Sequence, residues 1–448
     1  MPSVVHRVRR GRAVPEAAPR IEVMFPELVG RTCHLKPYTR VAVPKVKLQG
    51  EIIAYASPDS TFAVTKRLFD AARRSILIGI YDFTAPHVKQ LVSDALARGV
   101  KVRLMLDIDS AEEQALFDDL VTLGMQGVPA PSCASQHGNP YFRSSHEKVI
   151  VIDEEWVLVQ SGNYSANSCP LNVKDGGDAA HFVPGNRDSG LAVRSRPLAK
   201  FFSGILSSDM ALELGGPPAA AAEAAPAHEA FLVERAPALT PSALYPSRIF
   251  KLAAPLEVQP VLSPDNYMDV VPGVLRAARR SILIEQQYIR ASQDKVSDLV
   301  DAIRDAKRGN PRLDVRIVLG KVFNASELAK EREMLQHLEQ ACGLKLGRNV
   351  RYVNTQRLVN CHNKMVLVDG SGVLVSSQNW SKAAVWENRE AGLYLRHPGV
   401  CGYFTGIFET DWKDAFRQLP AAAPESLTPQ DLGGGGYVRV DPGDYAEV

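Results

Sequence analysis

An α/β fold built twice along one chain is what the 448-residue sequence predicts. Three observations predict it. The octamer AARRSILI stands at 71–78 and again at 277–284, longer blocks around it recur in the same order, and the blocks alternate helix-like segments with apolar, β-branched runs. Extended backwards, SPDSTFAVTKRLFDAARRSILI (57–78) aligns without gaps on SPDNYMDVVPGVLRAARRSILI (263–284), with twelve of twenty-two positions identical. Both copies open on a Ser-Pro-Asp cluster suited to starting a helix, then run from helix into strand.

The next elements repeat as well. VKVRLMLD (100–107) matches LDVRIVLG (313–320), each after a helix-like segment and an Arg-Gly turn, which suggests parallel strands joined by crossover helices. HEKVIVIDEEWVLVQSGN (146–163) matches HNKMVLVDGSGVLVSSQN (362–379). NRDSGLAVRSRPLAKFFSGILSSDM (186–210) matches NREAGLYLRHPGVCGYFTGIFETDW (388–412). The offsets are 206, 213, 216 and 202, so the blocks are collinear and the first copy carries fourteen extra residues within 164–185. The expected organisation is an N-terminal extension (1–50), a first half (51–212), an Ala/Pro-rich linker (213–247), a second half (248–418) and a flexible tail (419–448). VAVPKVKLQG within the extension, which belongs to neither repeat, could supply an added strand.

Composition narrows the function classes. Hydrophobic content of 45%, charged content of 23% and a net charge of +2 describe an ordinary globular chain with no global electrostatic pull toward nucleic acid or anionic membrane. The ends are asymmetric, with a basic arm at 7–12 and five acids in 421–448. No run approaches the eighteen or so apolar residues of a membrane span, and no apolar stretch of secretory type follows the basic N-terminus. The six cysteines (33, 133, 169, 342, 361 and 401) form no CxxC pair, so neither structural zinc nor a disulfide framework is expected, and a reducing cytosol is the default.

The chemistry concentrates in the third block. His146, Lys148, Asp153, Ser161 and Asn163 recur at identical spacing as His362, Lys364, Asp369, Ser377 and Asn379. Five letters at fixed spacing arise by chance in roughly one chain in ten thousand, and here they occur twice inside an independent repeat. EKVIVID and WVLVQSG read as a β-hairpin around a two-residue polar break. His and Lys, two apart, project from one face of its first strand. If Asp153 pairs with Trp156, Asn163 lies opposite His146 and Ser161 opposite Lys148, so four side chains converge on one anion. Asp153 and Asp369, an odd step from the histidine, point away or sit at the turn and take a structural role. A lone strand histidine is usually a satisfied or surface residue. A duplicated cationic face beside apolar runs has no structural benefit, and buried unpaired charge is costly.

HxK, four residues, Asp, six residues, then a small residue, Ser, any residue and Asn resembles the signature of the phospholipase D superfamily, with the usual Gly before Ser replaced by Gln160 and Ser376. The resemblance covers 51–212 and 248–416. It implies two βα-sandwich halves packed as one pseudo-twofold bilobal unit with the active site at their interface. It implies a metal-independent phosphodiesterase without cofactor: His146 as nucleophile forming a phosphohistidine, His362 as acid, Lys148, Lys364, Asn163 and Asn379 on the phosphoryl oxygens, Ser161 and Ser377 in support. It also assigns Asp188 and Glu390, in matching NR-acid contexts, to accepting a hydrogen bond from a catalytic imidazole; pairing with neighbouring Arg187 or Arg389 is the plainer alternative.

For substrate, near-neutral charge, two motifs in one chain and EQQYI (285–289) favour phospholipid, with action as a monomer in the cytoplasm and peripheral membrane contact. Nucleic acid is the alternative substrate, supported by SGNYSANS and the basic arm. A non-catalytic scaffold would show an eroded motif, and neither copy is eroded. Tyr81, Phe83, Tyr164, Tyr288 and Trp380 could contact acyl chains, although packing is the commoner use of such residues. The 164–185 insertion follows Asn163 directly and is expected beside the pocket mouth as a lid or specificity loop.

Overall fold

The computed structural model describes residues 33–135, 139–215, 243–323 and 325–421. The basic arm, most of the linker and nearly all of the tail lie outside the described residues. The first part runs β1 (Val46–Leu48), β2 (Glu51–Ser57), α1 (Thr61–Ala71), β3 (Ser75–Ile80), α2 (Pro86–Ala97), β4 (Lys101–Leu106), α3 (Ala111–Thr122), β5 (Gln126–Pro129), β6 (Lys148–Ile152), β7 (Trp156–Gln160), β8 (Asp188–Arg194) and α4 (Arg196–Leu214). The second runs β9 (Arg248–Lys251), β10 (Leu256–Ser263), α5 (Tyr267–Arg276), β11 (Ser281–Gln286), α6 (Val296–Gly309), β12 (Asp314–Leu319), α7 (Ala325–Cys342) and β13 (Val350–Tyr352). It ends with β14 (Lys364–Val368), β15 (Gly372–Ser376), a π-helical turn (Ala383–Glu387), β16 (Glu390–Arg396) and α8 (Pro398–Asp414).

Two eight-stranded sheets result, ordered β5-β4-β3-β6-β7-β8-β2-β9 and β13-β12-β11-β14-β15-β16-β10-β1. The β3–β4–β5 and β11–β12–β13 ladders are parallel, as the helix-strand alternation predicts, and the rest of each sheet is antiparallel. The octamer's strand shows why these runs are apolar throughout. Ile76, Ile78 and Ile80 enter a core under α1–α3, while Leu77, on the other face, enters a core shared by both halves. Ile282 and Ile284 against Leu283 divide in the same way. Each fully buried side chain of this kind contributes about 1.5–3 kcal/mol. The shared core also holds Phe202 and Leu206 of α4 with Phe404 and Phe408 of α8, so the halves meet face to face along their sheets.

The leading strands are exchanged. β1 pairs with β10 of the second sheet, and β9 pairs with β2 of the first. The approaches match: the backbone N–H of Val41 donates to Asp265 at 2.7 Å, and that of Tyr245 to Asp59 at 3.1 Å. Residues 41–48, expected outside both repeats, are therefore the structural counterpart of 245–251, and 248–251, expected in the second half, edge the first sheet. The added strand in VAVPKVKLQG is β1.

Cys33 and Cys133 form a disulfide across a separation of 100 residues, which corrects the expectation of none. No local spacing announces it, because the segment reaches Cys133 only after folding. Lys36 N–H donates to the Pro140 carbonyl, and Tyr38 packs edge-on against Phe142 at 4.9 Å. A structural disulfide belongs to oxidising compartments, so cysteine spacing no longer argues for a reducing one. Among the described residues no helix is long and apolar enough to cross a membrane.

Candidate active site

Each motif begins where a hairpin starts, and the hairpin is built by the octamer. Asp153 and Asp369 sit in left-handed turns (φ 53° and 55°) after β6 and β14. Asp153 accepts the backbone N–H groups of Arg73, Arg74 and Ser75, and Asp369 those of Arg279, Arg280 and Ser281. Partial burial pushes both carboxyls up, but these backbone donors win and hold them below the usual range. The motif aspartates are therefore fastened to the helix-to-strand junction and stand apart from the histidines and lysines.

This anchoring changes the register. Ile152 pairs with Trp156 and Val368 with Gly372, leaving three-residue loops at 153–155 and 369–371. Lys148 then lies opposite Gln160, not Ser161. The anticipated pairing of Asp153 with Trp156 is off by one because Asp153 has left the ladder to cap the octamer. Ser161 reaches the site after β7 ends, where its N–H donates to the Ser189 carbonyl, and Tyr164 N–H fixes the segment after Asn163 on the Asp82 carbonyl. Asn163 Oδ1 is buried without a protein hydrogen-bond partner.

The halves cross at the histidines. His146 N–H donates to the Arg389 carbonyl at 2.7 Å, and His362 N–H to the Arg187 carbonyl at 3.0 Å. His146 Nδ1 lies 2.9 Å from Glu390 Oε2, and His362 Nδ1 lies 2.9 Å from Asp188 Oδ1, so each imidazole meets the carboxylate of the opposite half. Ser161 Oγ donates to Asp188 Oδ1 at 2.8 Å, and Ser377 Oγ donates to Glu390 Oε2. Both serines thus hold the carboxylates. Lys148 and Lys364 Nζ donate to the carbonyls of His146 and His362, and Lys148 also stands over the Tyr81 ring, itself 4.9 Å from the His146 ring.

Burial, with the neighbouring lysines, pushes His146 well below its ordinary value and His362 down to about 4. Burial likewise brings Lys364 down to about 7 against the pull of Asp188. Asp188 is pushed up by burial, but His362 and Lys364 outweigh this and hold it below the usual range. A neutral imidazole with a carboxylate oxygen against its Nδ1 donates from that nitrogen, which puts the ring lone pair on Nε2.

Arg187 and Arg389 are not partners of the acids beside them. Arg187 pairs with Asp59 and Asp411 at 3.0 and 2.6 Å; Arg389 pairs with Asp209 at 2.8 Å and with Asp265. Each buried guanidinium joins one carboxylate of its own half to one from the other half's long helix.

Phe83, Tyr164 and Trp380 are packed into the helix-covered cores, and Tyr288 is buried beneath Arg290. Tyr81 alone among the five aromatics touches a motif histidine among the described contacts. The insertion stands on the same seam: Asn186 N–H donates to the Asn167 carbonyl and Val359 N–H to the Gly185 carbonyl, three residues before His362.

Four buried residues, at two matched positions, carry a difference that sequence reasoning passed over. Between His and Lys stand Glu147 in one half and Asn363 in the other, and Gly79 in β3 answers to Glu285 in β11. The mismatch inside otherwise matched blocks, SILIGI against SILIEQ, was the available signal. Among the described residues no group of three or more His, Cys, Asp and Glu is placed to hold a metal ion.

The family described as "Cardiolipin synthase, PLD-like domain" matches residues 65–176 and 273–412. A phosphatidylserine synthase of Haemophilus influenzae has a similar fold, at 13% identity and a TM-score of 0.56, over 87% of this chain and 93% of that one. Nuc of Salmonella typhimurium, a phospholipase D family member, matches 35% of this chain and 92% of its own at 21% identity and a TM-score of 0.29. No curated protein matches the chain.

Proposed function

The chain belongs to the PLD-like domain family, and from that premise we propose that it cleaves or transfers phospholipid phosphodiesters through a phosphohistidine. The observation that carries this reading is the crossed pair of histidine–carboxylate couples, His146–Glu390 and His362–Asp188, each beside a buried lysine.

Without an anion between them, burial and two lysines favour neutral imidazoles. A bound diester supplies the opposing charge and lets His362 hold a proton. Nε2 of His146 attacks phosphorus; the P–N bond forms as the P–O bond to the leaving alcohol breaks, and His362 gives its proton to that oxygen. Water or an acceptor alcohol, deprotonated by His362, then attacks phosphorus, breaks the P–N bond and regenerates His146. Lys148, Lys364, Asn163 and Asn379 bind the non-bridging oxygens, and Glu390 and Asp188 fix the imidazole tautomers as the acid of a triad does.

Lipid is favoured as substrate by the near-neutral charge, by the family's cardiolipin synthase description and by the two-half likeness to a phosphatidylserine synthase. The test is a chelator-treated assay comparing a fluorescent phospholipid with single- and double-stranded DNA. Phospholipid turnover with a phosphoenzyme on His146 is expected. Activity on DNA alone would move the substrate to nucleic acid, and loss of all activity with chelator would overturn the mechanism.

A further inference from the structure

The two histidines are braced by different networks. His362 Nδ1 donates to Asp188 Oδ1, which also receives Ser161 Oγ at 2.8 Å. Ser161 Oγ in turn accepts the backbone N–H of Ser189 at 3.0 Å. Ser189 Oγ donates to Asn363 Oδ1 at 2.6 Å, and Asn363 Nδ2 donates to Glu285 Oε2 at 2.7 Å. The Asn363 amide has one orientation available: its Oδ1 faces Ser189 Oγ and the Lys364 N–H, with Ser161 Oγ 3.2 Å away, so its nitrogen must face Glu285. All six members are buried, and the network spans the seam between halves twice.

The other half cannot make this network. Ala391 stands where Ser189 does and offers no hydroxyl, although its N–H still donates to Ser377 Oγ at 3.0 Å. Glu147 replaces Asn363 and accepts from Ser145 Oγ at 2.9 Å, filling the space that Gly79 leaves. A Cβ on Gly79 would lie 2.8 Å from Glu147 Oε1. Glu390 is held instead by Asn388 Nδ2 on its second oxygen at 3.2 Å.

We propose that Ser189, Asn363 and Glu285 are positioning residues for His362, fixing Asp188 against its imidazole through a network that His146 does not share. The proposal rests on the reading of His362 as a working group of the site. Fixing the carboxylate holds the ring so that Nε2 keeps one direction through both proton transfers, where a small misplacement is costly.

The test uses the full chain carrying Ser189→Ala, a substitution already present at the matching position of the other half. The first readout needs no substrate: the downfield proton resonances of the two Nδ1–H groups, assigned with His146→Ala and His362→Ala. The His362 resonance should broaden and exchange faster with solvent while that of His146 is unmoved. In turnover, kcat should fall roughly ten- to a hundredfold with KM nearly constant. Both resonances unchanged, or both changed alike, overturns the proposal. Wild-type protein that turns over no phosphodiester would instead sink the functional reading, and the resonance test would still decide the bracing. Asn363→Asp, which keeps the shape and removes the amide donor, decides it in the same way if Ser189→Ala does not fold.

Discussion

The two halves place equivalent groups on opposite sides of one seam, yet each buries its extra carboxyl from a different strand. In the first half Glu147 occupies the room beside Gly79; in the second, Glu285 comes from the position of Gly79 and meets Asn363 at the position of Glu147. Both arrangements keep one carboxyl, one partner and no clash. Exchanging only one member of a pair would leave either two buried carboxyls or an unpaired amide. The motif residues, the arginine clamps and the octamer caps have matching contacts in both copies, while residues that only support them have diverged in compensated pairs. Symmetry at the seam is thus compatible with inequality of the histidines.

The bluntest way to break the comparison is to remove each histidine. His146→Ala and His362→Ala should each lower turnover by about a hundred- to ten-thousandfold. A stable phosphoenzyme on His362 but not His146 would invert the assigned roles. The carboxyl exchange is sharper. Asn363→Glu alone sets two carboxyls together in the interior and should destabilise by a few kcal/mol. Adding Glu285→Gly recreates the first half's pairing and should recover most of the loss in thermal denaturation; additive losses would show that the two sites are not interchangeable.

pH separates the carboxyls from the histidines. Burial, with Asp209 nearby, pushes Glu147 up to about 8. The folded chain therefore holds this proton more tightly than the unfolded one. The stability it contributes is complete below the ordinary glutamate value of about 4.5 and is lost as pH rises toward 8. Glu147→Gln should remove that slope, so its Tm relative to wild type should climb from pH 5 to pH 8; parallel curves would refute the raised value. The smallest effect belongs to the turns. Asp153→Ala and Asp369→Ala each strand three backbone donors at a partly exposed site and should cost about 1 kcal/mol, equally in the two halves. A loss of turnover beyond the loss of folded protein would give these aspartates a direct part in the chemistry.

Much of this was legible in the sequence because the duplication printed it twice. The helix-to-strand order, the βα halves and the paired motif letters all follow from blocks that align without gaps. What escaped depended on distance or on a single backbone choice. The hairpin register shifted by one because Asp153 and Glu154 adopt positive φ and enlarge the loop, which apolar alternation alone does not reveal. The crossing of His146 to Glu390 and of His362 to Asp188 links residues 244 and 174 positions apart. The Cys33–Cys133 bridge likewise depends on a docked segment and not on spacing. Glu285 was quoted within EQQYI, but its meaning lies in the glycine that faces it in the alignment.

The exchange of β1 and β9 makes the linker a poor place to divide the molecule. A fragment ending near 215 would keep β1 but lose the strand it pairs with, and its own β2 would become an open edge inviting association. It would also carry His146 without Glu390, and Asp188 without His362. The complementary fragment would be incomplete in the mirrored way. Expressed apart, each should be insoluble or inert; expressed together, they should reassemble as a heterodimer in which every active group is completed from the other polypeptide. In energetic terms the single chain is an obligate dimer whose subunits happen to be joined.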